Sequence, residues 1–144
     1  MDGRLSRSGI VIVASGAVVL VGSLLHVYES NSAWSSGYFP VLTLPAIFGV
    51  IMAAHVLATE VAKGVKTSDR VLDFSWTQVH VALGCWAALM MLCFLVGEAG
   101  VSARGATISP SKGIGFWLML LGSIGLAVGA VMRTTERAGT PPLA

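Results

Sequence analysis

Four stretches of this chain contain no Lys, Arg, Asp or Glu: Gly9–Tyr28, Phe39–Thr59, Trp76–Gly97 and Ile114–Met132. Each is close to the length of about 20 apolar residues needed to cross the hydrocarbon core of a bilayer. In lipid a backbone N–H or C=O finds no water, so a lone span satisfies its own groups only as a helix. The expected fold class is therefore all-α, an antiparallel bundle of four transmembrane helices forming a single domain over residues 1–144. Composition excludes a soluble alternative. The chain is 55% hydrophobic and 11% charged, where soluble domains carry about 25% charged residues. With 144 residues, too much surface stays exposed for a soluble fold to hide that apolar content.

Arg4 and Arg7 precede the first stretch as they would in a signal peptide. That stretch is long enough to span, and no small-residue cleavage site follows it, so it reads as a retained first helix. The connections are short, as neighbouring antiparallel helices require. Residues 133–144 end in a Gly-Thr-Pro-Pro run and are expected to form a disordered tail. Lys and Arg set the orientation. Arg4, Arg7, Lys63, Lys66, Arg70, Arg133 and Arg137 fall on one side, and only Arg104 and Lys112 on the other. Both termini and the middle loop are thus expected in the cytoplasm, as in a multi-pass protein of the plasma membrane. Tyr28, Trp34, Tyr38, Phe39 and Trp117 mark the outer interface, Phe74 and Trp76 the inner one.

Local signals refine the helices. Ser75-Trp76-Thr77-Gln78 reads as a capping box opening the third. Pro40 suits the first turn of the second, where a missing N–H costs nothing, whereas Pro45 lies further in and is expected to kink it. Lipid gives helices no hydrophobic drive to associate, so small residues that let backbones approach carry the packing. Gly9, Gly16 and Ser23 form one such stripe on the first helix. Gly115, Gly122 and Gly129 form another on the fourth, where Gly125 and Gly129 also make a GxxxG. Seven-residue spacing is two turns, so each stripe is narrow, and the two are expected to face each other or a partner protein. Trp86, near the middle of its span, reads as filling bundle volume. Cys85 and Cys93 stand eight residues apart in one span, about 12 Å of helical rise. That is too far for a disulfide, and both read as small buried apolar residues.

Ionisable groups at membrane depth are the functional candidates. They are His26 near the outer face, and His55 and His80 at matching depth in the inner halves of consecutive helices. Such a pair bonds across helices as packing glue or, for His80 near the interface, is solvated; the alternatives are that it clamps a b-type haem axially, with Gly84 leaving room for the macrocycle, or relays a proton or ion. Glu29, Glu60 and Glu98 flank span ends, where charge is cheap, and no carboxylate lies mid-span. This argues against an ion-coupled transporter. There is no P-loop, GxSxG, HExxH or dinucleotide fingerprint. The formal net charge of +2 leaves no footprint for nucleic acid.

Several segments resemble a loose group of small four-helix membrane proteins of high-GC actinobacteria. They are Val21-Gly22-Ser23-Leu24-Leu25 before a Ser-rich loop with Trp34, Phe39-Pro40 with Leu44-Pro45-Ala46, Trp76-Thr77-Gln78-Val79-His80, and Lys112 to Leu118. Where those proteins often carry Pro-Trp, this chain has His26-Val27. The resemblance implies the fold and brings no activity or cofactor. The expectation is a non-enzymatic structural or accessory subunit, paired in the bilayer with itself or with other membrane subunits. The alternative is a haem b electron-transfer subunit using His55 and His80.

Overall fold

A computed structural model describes residues 5–29, 31–35, 40–62, 70–71, 73–97, 101–103, 106–108 and 111–138. Among these residues are four α-helices: α1 (Arg7–Leu24), α2 (Leu44–Glu60), α3 (Trp76–Val96) and α4 (Ile114–Ala138). All four are long and apolar enough to cross a membrane. Outside them lie a 3-10 turn at Val41–Thr43 and two short antiparallel ladders. In the first, β1 (Arg70–Val71) pairs with β2 (Phe74–Ser75) just before α3. In the second, β3 (Val101–Ala103) pairs with β4 (Ala106–Ile108) between α3 and α4.

The ends of the helices differ from the hydropathy boundaries for local reasons. The first helix stops at Leu24, four residues before Tyr28, because the following chain folds back on it. Leu25 N–H donates to Val21 and Gly22 carbonyls, Val27 N–H to the Asn31 carbonyl, and Ala33 N–H to the Ser23 carbonyl. Pro40 caps the 3-10 turn, and α2 then starts at Leu44. Pro45 therefore falls in the first turn of α2, where its absent donor is harmless, and it is not the site of the expected kink. At α3 the capping box forms: Gln78 N–H donates to Ser75 Oγ, and Ser75 N–H to Gln78 Oε1. The fourth helix runs through Arg133 and on to Ala138. Residues 133–138 are thus helical rather than tail, because Arg133 and Glu136 have partners on other helices. Residues 139–144 lie outside the described residues.

The helices pack in a ring. The most extensive interface joins α1 to α4; α1 with α2 and α3 with α4 follow, and α2 with α3 is the thinnest side. The α4 stripe lies against α1. A Cβ on Gly122 would come within 2.5 Å of Val19 Cγ2, one on Gly129 within 2.8 Å of Ile12 Cγ1, and one on Gly125 would run into Ser15. A Cβ on Gly115 would meet the carbonyl oxygens of Gly22 and His26 at 2.6 and 2.8 Å. The α1 stripe does not answer it. A Cβ on Gly9 would meet Glu60 and Val56, and one on Gly16 would come within 2.7 Å of the Gly49 carbonyl, all on α2. Ser23 serves the loop instead, accepting from Trp34 Nε1 at 3.1 Å. The face that α1 offers to α4 is Ile12, Ser15, Val19 and Gly22.

The third helix is the least covered. Only 22% of its span is buried, against 39%, 44% and 50% for the spans of α1, α2 and α4. Trp86 is 57% exposed and points out of the bundle, as do Leu89, Leu92 and Val96. Cys85 and Cys93 are exposed with them, contrary to the expectation that they and Trp86 are buried. A helix that is apolar on every side carries no periodicity from which its inner face can be read.

Candidate functional site

The site lies where the start of α3 meets the last two turns of α2. Ser75 and Gln78 fix the first turn of α3, which sets Trp76 and His80 one turn apart. On α2, His55 lies five residues before the helix ends at Glu60, and Thr59 Oγ1 donates back to the His55 carbonyl at 2.8 Å. The structure brings the two histidines together. His55 Nδ1 and His80 Nε2 are 3.1 Å apart, with one ring donating to the other according to tautomer. The rings meet edge to face at 83°. Trp76 lies flat on His55, with 3.8 Å between ring centroids and 18° between planes. His80 is fully buried and His55 7% exposed. His80 is thus enclosed by protein and is not a solvated interfacial residue.

An interhelical hydrogen bond in a membrane bundle contributes only about 0.6 kcal/mol on average. That is little return for removing two imidazoles from water, so packing alone accounts poorly for the pair. The geometry also bears on what it can hold. A metal–imidazole bond is about 2.0–2.1 Å, so nitrogens on opposite faces of a haem iron stand about 4 Å apart with the macrocycle between them. At 3.1 Å the rings touch directly. The space expected beside Gly84 is occupied by α4, since a Cβ there would sit 3.0 Å from Ala127 Cα. Among the described residues no group of three or more His, Cys, Asp or Glu is placed to hold a metal.

A second polar cluster lies at the same end of the bundle. Arg133 Nη2 of α4 meets Glu60 Oε1 of α2 at 3.0 Å, with the two side chains only 7% and 18% exposed. Glu60 also accepts from Ser6 N–H at 2.8 Å and Ser6 Oγ at 3.0 Å. Glu136 accepts from Ser8 N–H at 3.2 Å and Ser8 Oγ at 2.5 Å. Two carboxylates from other helices thereby bond the orphan amides at the N-terminus of α1, where the helix dipole favours negative charge. Sequence reasoning placed Glu60 at an interface where charge is cheap, and Arg133 entered the orientation count and the start of the expected tail. The available signal was Arg133 and Glu136 at helical spacing, with no Pro or Gly between them and Met132.

His26 stands at the other end with an exposed side chain, and its carbonyl accepts from Gly115 N–H at 2.9 Å. That end is closed by Tyr28, which is 1% exposed and tilted against Phe116 at 5.8 Å. The chain matches no protein-family model, no curated protein and no solved structure.

Proposed function

We propose that this multi-pass membrane protein is an accessory subunit of the plasma membrane that associates laterally through the outer face of α3. The observation that carries the reading is Trp86, 57% exposed near the middle of its span. Tryptophan concentrates at the headgroup level, where its N–H meets water. A ring at mid-depth facing outward suits a protein neighbour better than acyl chains. Leu89, Leu92 and Val96 continue the face, and the short loops leave no room for a catalytic domain. The orientation belongs to the proposal: an antiparallel bundle with both termini cytoplasmic. The approach of Gly16 to Gly49 with Gly9 to Val56, and of Gly122 to Val19 with Gly129 to Ile12, together with the Lys and Arg distribution, supports it.

The native Cys85 and Cys93 lie on that face and serve as reporters. Bifunctional maleimide applied to native membranes is expected to yield a discrete larger species through these cysteines, and Trp86→Ala is expected to weaken it. A protein that stays monomeric, with no co-purifying subunit, overturns the reading. Labelling of position 66 from outside intact cells would overturn the orientation.

A second reading takes the contact between His55 and His80 as the collapsed form of a haem b site. It requires α2 and α3 to part at their thin interface. A reduced-minus-oxidised spectrum after haem supplementation decides it: absence of a Soret band ends it.

A further inference from the structure

We infer that His55 and His80 form a two-nitrogen binding site for a late first-row divalent metal ion, a role that does not depend on how the subunit docks. The separation of the ring nitrogens carries the assignment. Two ligands on adjacent vertices of a coordination shell, each about 2.0–2.1 Å from the ion, lie about 2.9 Å apart in an octahedron and about 3.4 Å apart in a tetrahedron. His55 Nδ1 and His80 Nε2, at 3.1 Å, fall between these values. The pair is preset for cis coordination with a change of only a few tenths of an ångström, whereas trans coordination demands that the helices separate.

Both rings are already ordered. His80 is fully buried among packed helices, and the flat contact with Trp76 fixes the plane of His55. Imidazole nitrogen is a preferred donor for Zn2+, Cu2+, Ni2+ and Co2+ and a poor one for Mg2+ or Ca2+. Binding needs one tautomeric change. The ring whose facing nitrogen now donates moves that proton to its other nitrogen, so both lone pairs face the ion and neither imidazole loses a proton. Access comes from the near end of the bundle. His80 sits four residues into α3, about 6 Å of helical rise from its start. Among the described residues no third His, Cys, Asp or Glu joins the pair.

The test uses full-length protein purified in detergent through a tag without histidine. Zn2+ titrated calorimetrically is expected to bind at one ion per chain. His55→Gln and His80→Gln are each expected to weaken binding at least tenfold, and His26→Gln to leave it unchanged. In a Trp34→Phe, Trp86→Phe, Trp117→Phe background, Cu2+ is expected to quench Trp76 fluorescence at one equivalent, because that ring lies 3.8 Å from His55. Binding of equal strength in wild type and both Gln variants overturns the site. So does stoichiometric binding without quenching, and so does a Soret band, which would place the nitrogens on opposite faces of iron. If circular dichroism shows that a Gln variant does not fold, quenching in the protein that keeps both histidines decides alone.

Discussion

The two ends of the bundle are closed by different chemistry. At one, charged side chains reach between helices: Glu60 to Arg133 and Ser6, and Glu136 to Ser8. At the other, backbone meets backbone. Gly113, just before α4, and Gly115 in its first turn donate to the Val27 and His26 carbonyls beyond α1, and Tyr28 packs on Phe116. A charged network is directional and costs much when one member is lost, because the survivor stays buried without its partner. A backbone junction tolerates changes in side-chain charge and fails when volume is added. The ends should therefore respond to opposite kinds of substitution.

The largest effect is expected at the charged end. Arg133→Ala leaves the Glu60 carboxylate, whose side chain is 18% exposed, without its cation. Losing one partner of a buried pair costs about 3–5 kcal/mol, and the loss here is expected at the lower end of that range because Ser6 still donates to Glu60. Combining Glu60→Gln with Arg133→Met removes both charges and should recover most of the loss. Thermal melts of detergent-solubilised protein read both. If the single and double variants melt alike, the pair is not what holds this end.

At the other end the sensitive position is a glycine. Gly115→Leu would put a side chain where even a Cβ lies 2.6 Å from the Gly22 carbonyl. Overpacking of this kind costs about 1–3 kcal/mol, and α1 and α4 should splay beside His26. An unchanged melt would show that this junction is loose and that the comparison between the ends is wrong.

Hydropathy exposed the four spans because a bilayer imposes one length and one polarity on every crossing. It placed the ends poorly because they are set by partners. Nothing in the apolar run to Tyr28 announces that Val27 and Ala33 amides turn back to α1 and its loop. Arg133 and Glu136 looked like the start of a tail because charge usually marks the exit from lipid, whereas here each is matched across helices. The histidine pair was legible because depth along two helices follows from residue count alone. Which way α3 faces was not, since its side chains are apolar all round and only the packed neighbours distinguish Ala87 inside from Trp86 outside. The glycine stripes revealed that helices approach closely, but not which helix each stripe meets.

A smaller effect separates the two carboxylates that bond the N-terminus of α1. Ser8→Ala removes the Oγ donor to Glu136 but leaves the Ser8 amide bonded. Glu136 is exposed, so water replaces the lost donor. The expected loss is about 1 kcal/mol, below the roughly 1.5–3 kcal/mol of a shielded hydrogen bond to a charge. A loss as large as that of Arg133→Ala would show that both carboxylates work in one sealed network rather than one inside and one at the rim.

The smallest expected effect lies in the loop that follows α1. Trp34 Nε1 donates to Ser23 Oγ at 3.1 Å, while Ser23 Oγ donates to the Leu20 carbonyl at 2.7 Å. Trp34→Phe keeps an aromatic ring at a position 42% exposed and removes only the donor. Ser23 then loses an accepted bond but keeps its own donation, so no buried donor is stranded. A net hydrogen bond between neutral groups contributes about 0.5–1.5 kcal/mol, and the partly exposed indole places this one near the bottom of that range. Ser23→Ala should cost slightly more, because it deletes the hydroxyl that bridges Leu20 and Trp34 inside the chain. The double variant should lose less than the sum of the two, since both delete the same contact. If the losses simply add, Trp34 and Ser23 act separately, and the loop is held to α1 by its backbone bonds, such as Ala33 N–H to the Ser23 carbonyl.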